Sequence, residues 1–176
     1  MQRQIDAGKI AGVVTLIARH GRIVEFDPQG LADLDTKRPM QKDTVFIWAS
    51  LTKTITAAAV LMMVEEGKIQ LRDPVWRYIP EFKNEQVNVG SNVVKADHDI
   101  TIRDLLTHTS GIGEGGPTSP KGTDILSSTP AKMVPLYGAS PLKFQPGTKW
   151  QYSVGGGDNL AARTEFHTTA MQAFLQ

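Results

Sequence analysis

The sequence predicts an α+β fold, in which an antiparallel sheet packs with helices and a helical region follows. Two short apolar runs at residues 11–18 and 22–26 flank His20-Gly21, a pattern typical of an antiparallel hairpin. An uninterrupted apolar stretch at residues 54–64 indicates a helix buried on nearly every face. That helix is too short to span a membrane.

Short helices and loops make up the rest of the predicted chain. A polar helix start at residues 1–6 precedes the hairpin, and Gly67 suits the left-handed position just past the end of the apolar helix. Thr101 and Asp104 have the spacing of a capping box. The other predicted segments are a helical turn at 73–80, a polar connector at 83–99, a loop at 111–130, a helix at 131–137 and a last helix from Asp158.

The composition is that of a soluble globular domain with one substantial core. The chain has 176 residues, of which 40% are hydrophobic and 21% charged, and it contains no internal repeat. We therefore expect a single domain over residues 1–176. Its N-terminal helix and hairpin would occupy residues 1–44, and a mainly helical region carrying the site would occupy residues 45–176.

Charge and cysteine content exclude several classes of function. The net charge is only +1 and no basic run is present, which argues against nucleic acid as a partner. The absence of cysteine excludes disulfides, thiolate zinc sites and thiol nucleophiles. The N-terminus lacks the apolar centre of a signal peptide, so we expect a cytoplasmic protein without a membrane partner. A signal removed before residue 1 would leave the same sequence in a periplasmic or secreted protein.

Ser50 and Lys53 form an S-x-x-K pattern at the predicted start of the apolar helix. Positions three apart lie on one helix face, so the hydroxyl and the amine can meet. The positive helix end and the apolar surroundings favour a neutral Lys53 amine, which can act as a base. The Ser50 N–H, in the first helical turn, would stabilise an oxyanion. An N-capping serine beside an unrelated surface lysine would show the same pattern.

Three blocks of sequence, at residues 46–75, 100–112 and 144–153, resemble the serine β-lactamase-related family. This family includes class C β-lactamases, penicillin-binding DD-peptidases and β-lactamase-like carboxylesterases. The resemblance covers nearly all of residues 5–162 and implies a β-lactamase/transpeptidase-like fold. It also implies that Ser50 is the nucleophile, a role already described for the S-x-x-K serine in related enzymes.

The resemblance implies that Tyr152 is a second catalytic residue, which would exchange protons with Ser50 and Lys53. The same block places Trp150 and Val154 as substrate-binding residues. Family members that act on β-lactams and peptides usually carry asparagine where this chain has Val154, and valine cannot make that amide hydrogen bond. Tyr-Ser-Val is similar to the carboxylesterase branch, which favours esters as substrates. Val154 as a simple packing residue is the alternative.

A third family motif, on a strand beyond the tyrosine, has no counterpart in residues 154–176. That strand supplies the second oxyanion N–H in the family, and loss of one such donor costs about 10²–10³ in rate in a well-studied protease. We therefore expect a C-terminally incomplete domain, with the C-terminal strands missing, and a weak or partner-dependent enzyme. The hairpin would then have an open edge through which the chain forms homo-oligomers.

The sequence therefore predicts a serine hydrolase that cleaves small carboxylic esters through an acyl-enzyme on Ser50. A β-lactam-reactive protein and a catalytically silent binding module are the alternatives. No cofactor or metal is expected: the GxGxxG match at residues 111–116 follows a helix and leads into prolines, and the four histidines lack ligand spacing. We expect His108 to support the floor of the site.

Overall fold

The computed structural model describes residues 1–113 and 130–153. The chain forms two compact units, Met1–Trp48 and Ala49–Gln176. Helices and an antiparallel hairpin are present, as predicted for an α+β fold. The single domain expected over residues 1–176 stays a prediction.

The first unit is built on an antiparallel hairpin. Helix α1 (Gln2–Asp6) precedes strands β1 (Gly12–Arg19) and β2 (Arg22–Gly30), which pair from Gly12↔Gly30 to Arg19↔Arg22. His20 and Gly21 both have positive φ, 50° and 73°, as a two-residue hairpin turn requires. The predicted hairpin is confirmed, and β2 extends four residues beyond the predicted run.

The hairpin displays apolar side chains. Leu16, Ile17, Ile23 and Val24 are all more than half exposed. Among the described residues, β1 and β2 pair only with each other. Unpaired strand edges can template pairing with another chain. Formation of homo-oligomers through this edge stays a prediction.

The second unit begins with the apolar helix. A 3₁₀ turn (Ala49–Leu51) leads directly into α2 (Thr52–Glu65), and Gly67 follows it with φ 71°. The helix is confirmed, but its predicted burial is wrong. Ala59 and Val60 are its buried residues, while Leu61 is 49% exposed. The uncharged run predicts the helix, but it does not show which faces of the helix are covered by neighbouring elements.

The core of the second unit lies where short elements converge. Two 3₁₀ turns (Val75–Arg77 and Pro80–Phe82) confirm the predicted helical turn between prolines, and α3 (Ile102–Leu106) and α4 (Pro130–Gly138) pack with them. The buried cluster comprises Val60, Ile69, Val75, Ile79, Phe82, Val87, Ile100, Ile102, Leu105, Ile112, Met133, Val134, Tyr137 and Leu142.

The predicted polar connector at 83–99 is wrong, because this segment contains a second hairpin. Strands β3 (Gln86–Val89) and β4 (Asn92–Lys95) pair antiparallel. Val87 is fully buried, and Leu142 forms backbone hydrogen bonds to Gln86 and Asn88 on either side of it. The polar residues that predicted a connector lie along exposed positions of these strands, whereas the additional backbone pairing of β3 comes from distant Leu142.

The predicted capping box is present at α3. The Thr101 hydroxyl accepts from the Asp104 N–H at 3.2 Å, and the Asp104 carboxylate accepts from the Thr101 N–H at 3.0 Å. Helix α4 confirms the helix predicted at 131–137, whereas the helix predicted from Asp158 lies outside the described residues. No helix within the described ranges is long and apolar enough to cross a membrane.

The buried carboxyl of Glu85 is expected to make the stability of the second unit depend on pH. Its side chain is 4% exposed, and neither carboxylate oxygen has a hydrogen-bond partner among the described residues. Burial, and secondarily the charge of Asp99, raises the pKa of Glu85 from 4.5 to about 8. The folded protein therefore binds a proton that the unfolded chain releases above pH 4.5.

We expect Glu85→Gln to flatten the pH dependence of stability. Because the folded pKa is raised, the contribution of Glu85 is fully present below pH 4.5 and declines as pH rises toward 8. At about 1.4 kcal/mol per pKa unit, the wild type should lose about 3 kcal/mol between pH 4.5 and 7. Urea unfolding of both proteins across this range measures the difference.

The exposed neighbour Glu81 provides the control, since Glu81→Gln should keep the wild-type pH slope. Parallel stability profiles for wild type and Glu85→Gln would show that Glu85 is ionised in the folded protein. The slope is the decisive quantity, because the introduced amide is itself buried and changes absolute stability.

Candidate active site

Ser50 lies at the first helical turn of the second unit. It is the middle residue of the 3₁₀ turn that leads into α2, and its side chain is exposed. Ala49, immediately before it, has φ 45°, a left-handed conformation that costs a non-glycine residue about 1–2 kcal/mol. Backbone N–H groups in a first turn lack intrahelical acceptors. The Ser50 N–H is therefore available to a ligand beside the hydroxyl.

Tyr152 lies against Ser50. The Tyr152 hydroxyl donates a hydrogen bond to Ser50 Oγ at 2.8 Å, although the residues are 102 positions apart in the chain. A phenol at this distance can exchange a proton with the serine. The structure thus brings the predicted nucleophile and the predicted tyrosine together.

Lys53 completes the group from α2. Its Nζ lies 5.5 Å from the centroid of the Tyr152 ring, within the range of a cation–π contact. Among the described residues, no hydrogen bond joins Lys53 Nζ to Ser50 Oγ. The sequence predicted a direct meeting of Ser50 and Lys53 on one helix face, and the structure instead shows each of them in contact with Tyr152.

Trp150 contacts His108, whose ring lies against Tyr152. The Trp150 and His108 rings meet edge to face, with centroids 6.3 Å apart. Trp150 is 68% exposed, so most of its indole surface is available to another molecule. An exposed indole beside reactive groups can hold an apolar part of a substrate. Val154, the other predicted substrate-binding residue, lies outside the described residues.

His108 contacts Tyr152 and both of its chain neighbours. The His108 carbonyl accepts from the Gln151 N–H at 3.0 Å, and its Nδ1 accepts from the Ser153 N–H at 3.2 Å. Its ring lies 4.7 Å from the Tyr152 ring at a tilt of 34°. Burial, and secondarily the charge of Lys53, lowers the pKa of His108. Sequence reasoning placed His108 at the floor of the site but missed this arrangement, because no spacing relates it to residues 151–153.

Backbone hydrogen bonds anchor the segment that carries Tyr152, which we call the tyrosine loop (residues 144–153). The Gly147 N–H donates to the Thr109 carbonyl at 2.8 Å, and directly before the loop the Lys143 N–H donates to the Gly111 carbonyl at 2.8 Å. Gly111 has φ 82°, and a Cβ there would collide with the Phe144 carbonyl. A glycine is therefore required where the residues after His108 meet the start of the tyrosine loop.

The chemistry available here is proton transfer and nucleophilic attack. Two hydroxyls share a hydrogen bond, and the amino group of Lys53 lies next to the phenol ring. No group of three or more His, Asp or Glu side chains that could hold a metal ion occurs within residues 1–113 and 130–153.

The chain is similar to known proteins over most of its length. The Beta-lactamase family model matches residues 1–175. Esterase EstB of Burkholderia gladioli is 39% identical over 156 residues, which cover 83% of this chain and 38% of the esterase. Acyltransferase calJ of Penicillium decumbens is 36% identical over 126 residues, 65% of this chain and 30% of the acyltransferase.

A solved structure shows the same fold. EstCE1, a hydrolase with promiscuous acyltransferase activity, matches with a TM-score of 0.79 and 31% identity, over 97% of this chain and 45% of that chain. This chain thus spans less than half the length of these relatives. The predicted resemblance and the predicted β-lactamase/transpeptidase-like fold, here as a partial domain, are confirmed. The chain belongs to the beta-lactamase family.

Proposed function

We propose that this chain is a serine hydrolase that cleaves small carboxylic esters through an acyl-enzyme on Ser50. The observation that carries the proposal is the 2.8 Å hydrogen bond between the Tyr152 hydroxyl and Ser50 Oγ, with Lys53 Nζ beside the Tyr152 ring. The similarity to esterase EstB and to the hydrolase EstCE1 supports an ester as the substrate.

Acylation begins with attack of Ser50 Oγ on the ester carbonyl. The serine proton passes to Tyr152 Oη, its hydrogen-bond partner, which either is already a phenolate or, as a phenol, gives its own proton to a neutral Lys53 amine in the same step. In the first case, a protonated Lys53 amine stabilises the phenolate. Because the two groups interact, their protons form one coupled system, in which either Lys53 or Tyr152 serves as the base.

The remaining steps use the same groups. The Ser50 N–H donates to the oxyanion of the tetrahedral intermediate, which collapses when Tyr152 protonates the leaving alkoxide. Water then attacks the acyl-enzyme, Tyr152 accepts its proton, and the acid leaves as Ser50 Oγ regains a hydrogen. The exposed Trp150 indole provides an apolar surface for the acyl or alcohol part of the substrate.

Intact-mass spectrometry tests the proposal directly. The 176-residue chain is exposed separately to a fluorophosphonate, to p-nitrophenyl butyrate and to a penicillin, and peptide mapping locates each adduct. We expect fluorophosphonate labelling on Ser50 and release of p-nitrophenol that exceeds the buffer rate.

The other outcomes distinguish the alternatives. A stable penicillin adduct on Ser50 without ester turnover would identify a β-lactam-reactive protein instead. The absence of any adduct and any turnover would leave a catalytically silent binding module. Labelling at a residue other than Ser50 would contradict the assigned nucleophile.

A further inference from the structure

His98 forms two hydrogen bonds that require a charged ring. Its Nδ1 lies 2.9 Å from the Asp99 carbonyl oxygen, and its Nε2 lies 2.9 Å from the Pro146 carbonyl oxygen. Carbonyl oxygens only accept hydrogen bonds, and a neutral imidazole carries a single N–H. Both contacts are therefore hydrogen bonds only when His98 is an imidazolium.

The two backbone carbonyls that His98 contacts, and the carboxylates near it, favour this charge. The Asp99 carbonyl, and after it the Pro146 carbonyl and the Asp104 and Asp97 carboxylates, raise the pKa of His98, while burial opposes them. The Asp99 carboxylate also accepts from the indole N–H of Trp76 at 2.8 Å. The charges of the Asp104 and Asp97 carboxylates thus act on His98, whose ring nitrogens are directed at backbone oxygens.

The hydrogen bonds of His98 reach the tyrosine loop. Pro146 belongs to this loop, six positions before Tyr152. A second hydrogen bond joins the same two segments, because the Asp97 N–H donates to Gln145 Oε1 at 2.8 Å. The segment around His98 therefore holds the first half of the tyrosine loop.

His108 binds the second half of the tyrosine loop and must be a neutral imidazole to do so. Its Nδ1 accepts from the Ser153 N–H at 3.2 Å, so that nitrogen carries no hydrogen. A neutral ring with its hydrogen on Nε2 can accept this bond. In an imidazolium, Nδ1 also carries hydrogen, so two N–H donors would point at each other and no hydrogen bond could form. A charged ring would also add a positive charge near Lys53, which already lowers the pKa of His108 after the effect of burial.

We propose that His98 and His108 are positioning residues for Tyr152, with His98 acting as an imidazolium and His108 as a neutral imidazole. The effect on catalysis rests on the proposed function, because it acts through Tyr152. Since the two histidines must hold different charges, the tyrosine loop is fully bonded only within a window of pH. Above this pH window, His98 loses one N–H and with it one of its two hydrogen bonds. Below the window, Nδ1 of His108 is protonated and can no longer accept the hydrogen bond from the Ser153 N–H.

The direction of each pKa shift places this window around 6.5, the ordinary value for histidine. The pKa of His98 is raised above 6.5, so both of its hydrogen bonds persist at that pH, and one of them is lost as pH rises further. The pKa of His108 is lowered below 6.5, so its acceptor role is lost only as pH falls. At pH 6.5 both histidines are expected in the required states.

Nuclear magnetic resonance of the side-chain nitrogens tests the two states without any activity. At pH 6.5 we expect both nitrogens of His98 to carry hydrogen and Nδ1 of His108 to carry none. Exposed His20, in the first unit, serves as an internal reference for a solvated histidine. A single hydrogen on His98, or a doubly protonated His108, at this pH would overturn the proposal.

Amide hydrogen exchange at Gln151 and Ser153 tests the positioning role. We expect protection of both amides to be greatest near pH 6.5 and, after correction for intrinsic exchange, to fall on either side. His98→Gln should remove the decrease in amide protection above pH 6.5. His108→Asn, whose asparagine tolerates the left-handed φ of 58°, should remove the acid fall. His20→Asn is the control and should preserve both.

If the two histidines had a purely structural role, each variant would show lower amide protection at every pH, and protection would still decrease on both sides of pH 6.5. That result would overturn the proposal.

A kinetic experiment then measures p-nitrophenyl butyrate hydrolysis at pH 6.5. Loosening of Tyr152 should lower kcat by about tenfold in either variant with little change in KM. Wild-type turnover with unchanged kcat in both variants would overturn the positioning role. Absence of wild-type turnover, with the exchange profiles as expected, would contradict only the proposed function.

Discussion

Ser50→Ala is expected to reduce p-nitrophenyl butyrate turnover to the rate of the buffer. Removal of the nucleophile in a well-studied serine protease costs about 10⁶ in kcat, so any turnover of this chain should fall below detection. The Ser50 side chain is exposed and its described hydrogen bond is to Tyr152, so the fold should tolerate alanine. Steady-state turnover and fluorophosphonate labelling of both proteins measure the effect.

Ser91→Ala provides the matched control. Ser91 is an exposed serine in the turn between β3 and β4, so its loss should leave turnover and labelling unchanged. If Ser50→Ala kept a tenth of the wild-type turnover, another group would be the nucleophile. Unfolding midpoints of all three proteins would separate loss of chemistry from loss of fold.

Features that depend on neighbouring residues could be predicted from the sequence. The capping box of Thr101 and Asp104 spans three positions, and His20-Gly21 defines a two-residue turn; both are present. The start of α2 near Ser50 also follows from a local change in residue types. In these cases the interactions that decide the structure lie within a few residues of each other.

Features that depend on distant residues were predicted poorly. The hairpin of β3 and β4 was missed because Leu142, far along the chain, pairs with β3 and lies with Val87 in the buried cluster. The burial of α2 was overestimated because apolar composition does not reveal which elements lie beside Leu61. Tertiary contacts decide such outcomes, and local patterns record them only in part.

The candidate site divides in the same way. The spacing of Ser50 and Lys53 suggested their proximity, whereas Tyr152 could be placed only through the resemblance to a family. Nothing in the spacing linked His108 to the flanks of Tyr152, nor His98 to Pro146. The geometry therefore adds what the pattern lacked: a physical reason for Tyr152 to remain near Ser50, which lies 102 positions away.

Tyr152→Phe is expected to lower kcat for p-nitrophenyl butyrate by about 10²–10⁴, the range for loss of a general acid–base group. Phenylalanine keeps the ring that contacts His108 and Lys53 and removes only the hydroxyl bonded to Ser50 Oγ. The apolar surface of Trp150 is unaffected, so KM should change little. Steady-state kinetics and the rate of fluorophosphonate labelling give the comparison.

Tyr78→Phe separates catalysis from stability. The Tyr78 hydroxyl donates to the Asp73 carboxylate at 2.6 Å, so its loss should lower the free energy of unfolding by about 1.5–3 kcal/mol without changing kcat. If Tyr152→Phe instead retained wild-type kcat and labelling rate, the serine proton would have to pass to Lys53 directly. That result would require Lys53 Nζ to approach Ser50 Oγ when substrate binds, because among the described residues these atoms share no hydrogen bond.

A slower labelling rate in Tyr152→Phe would show that Tyr152 activates Ser50 before any leaving group has to be protonated.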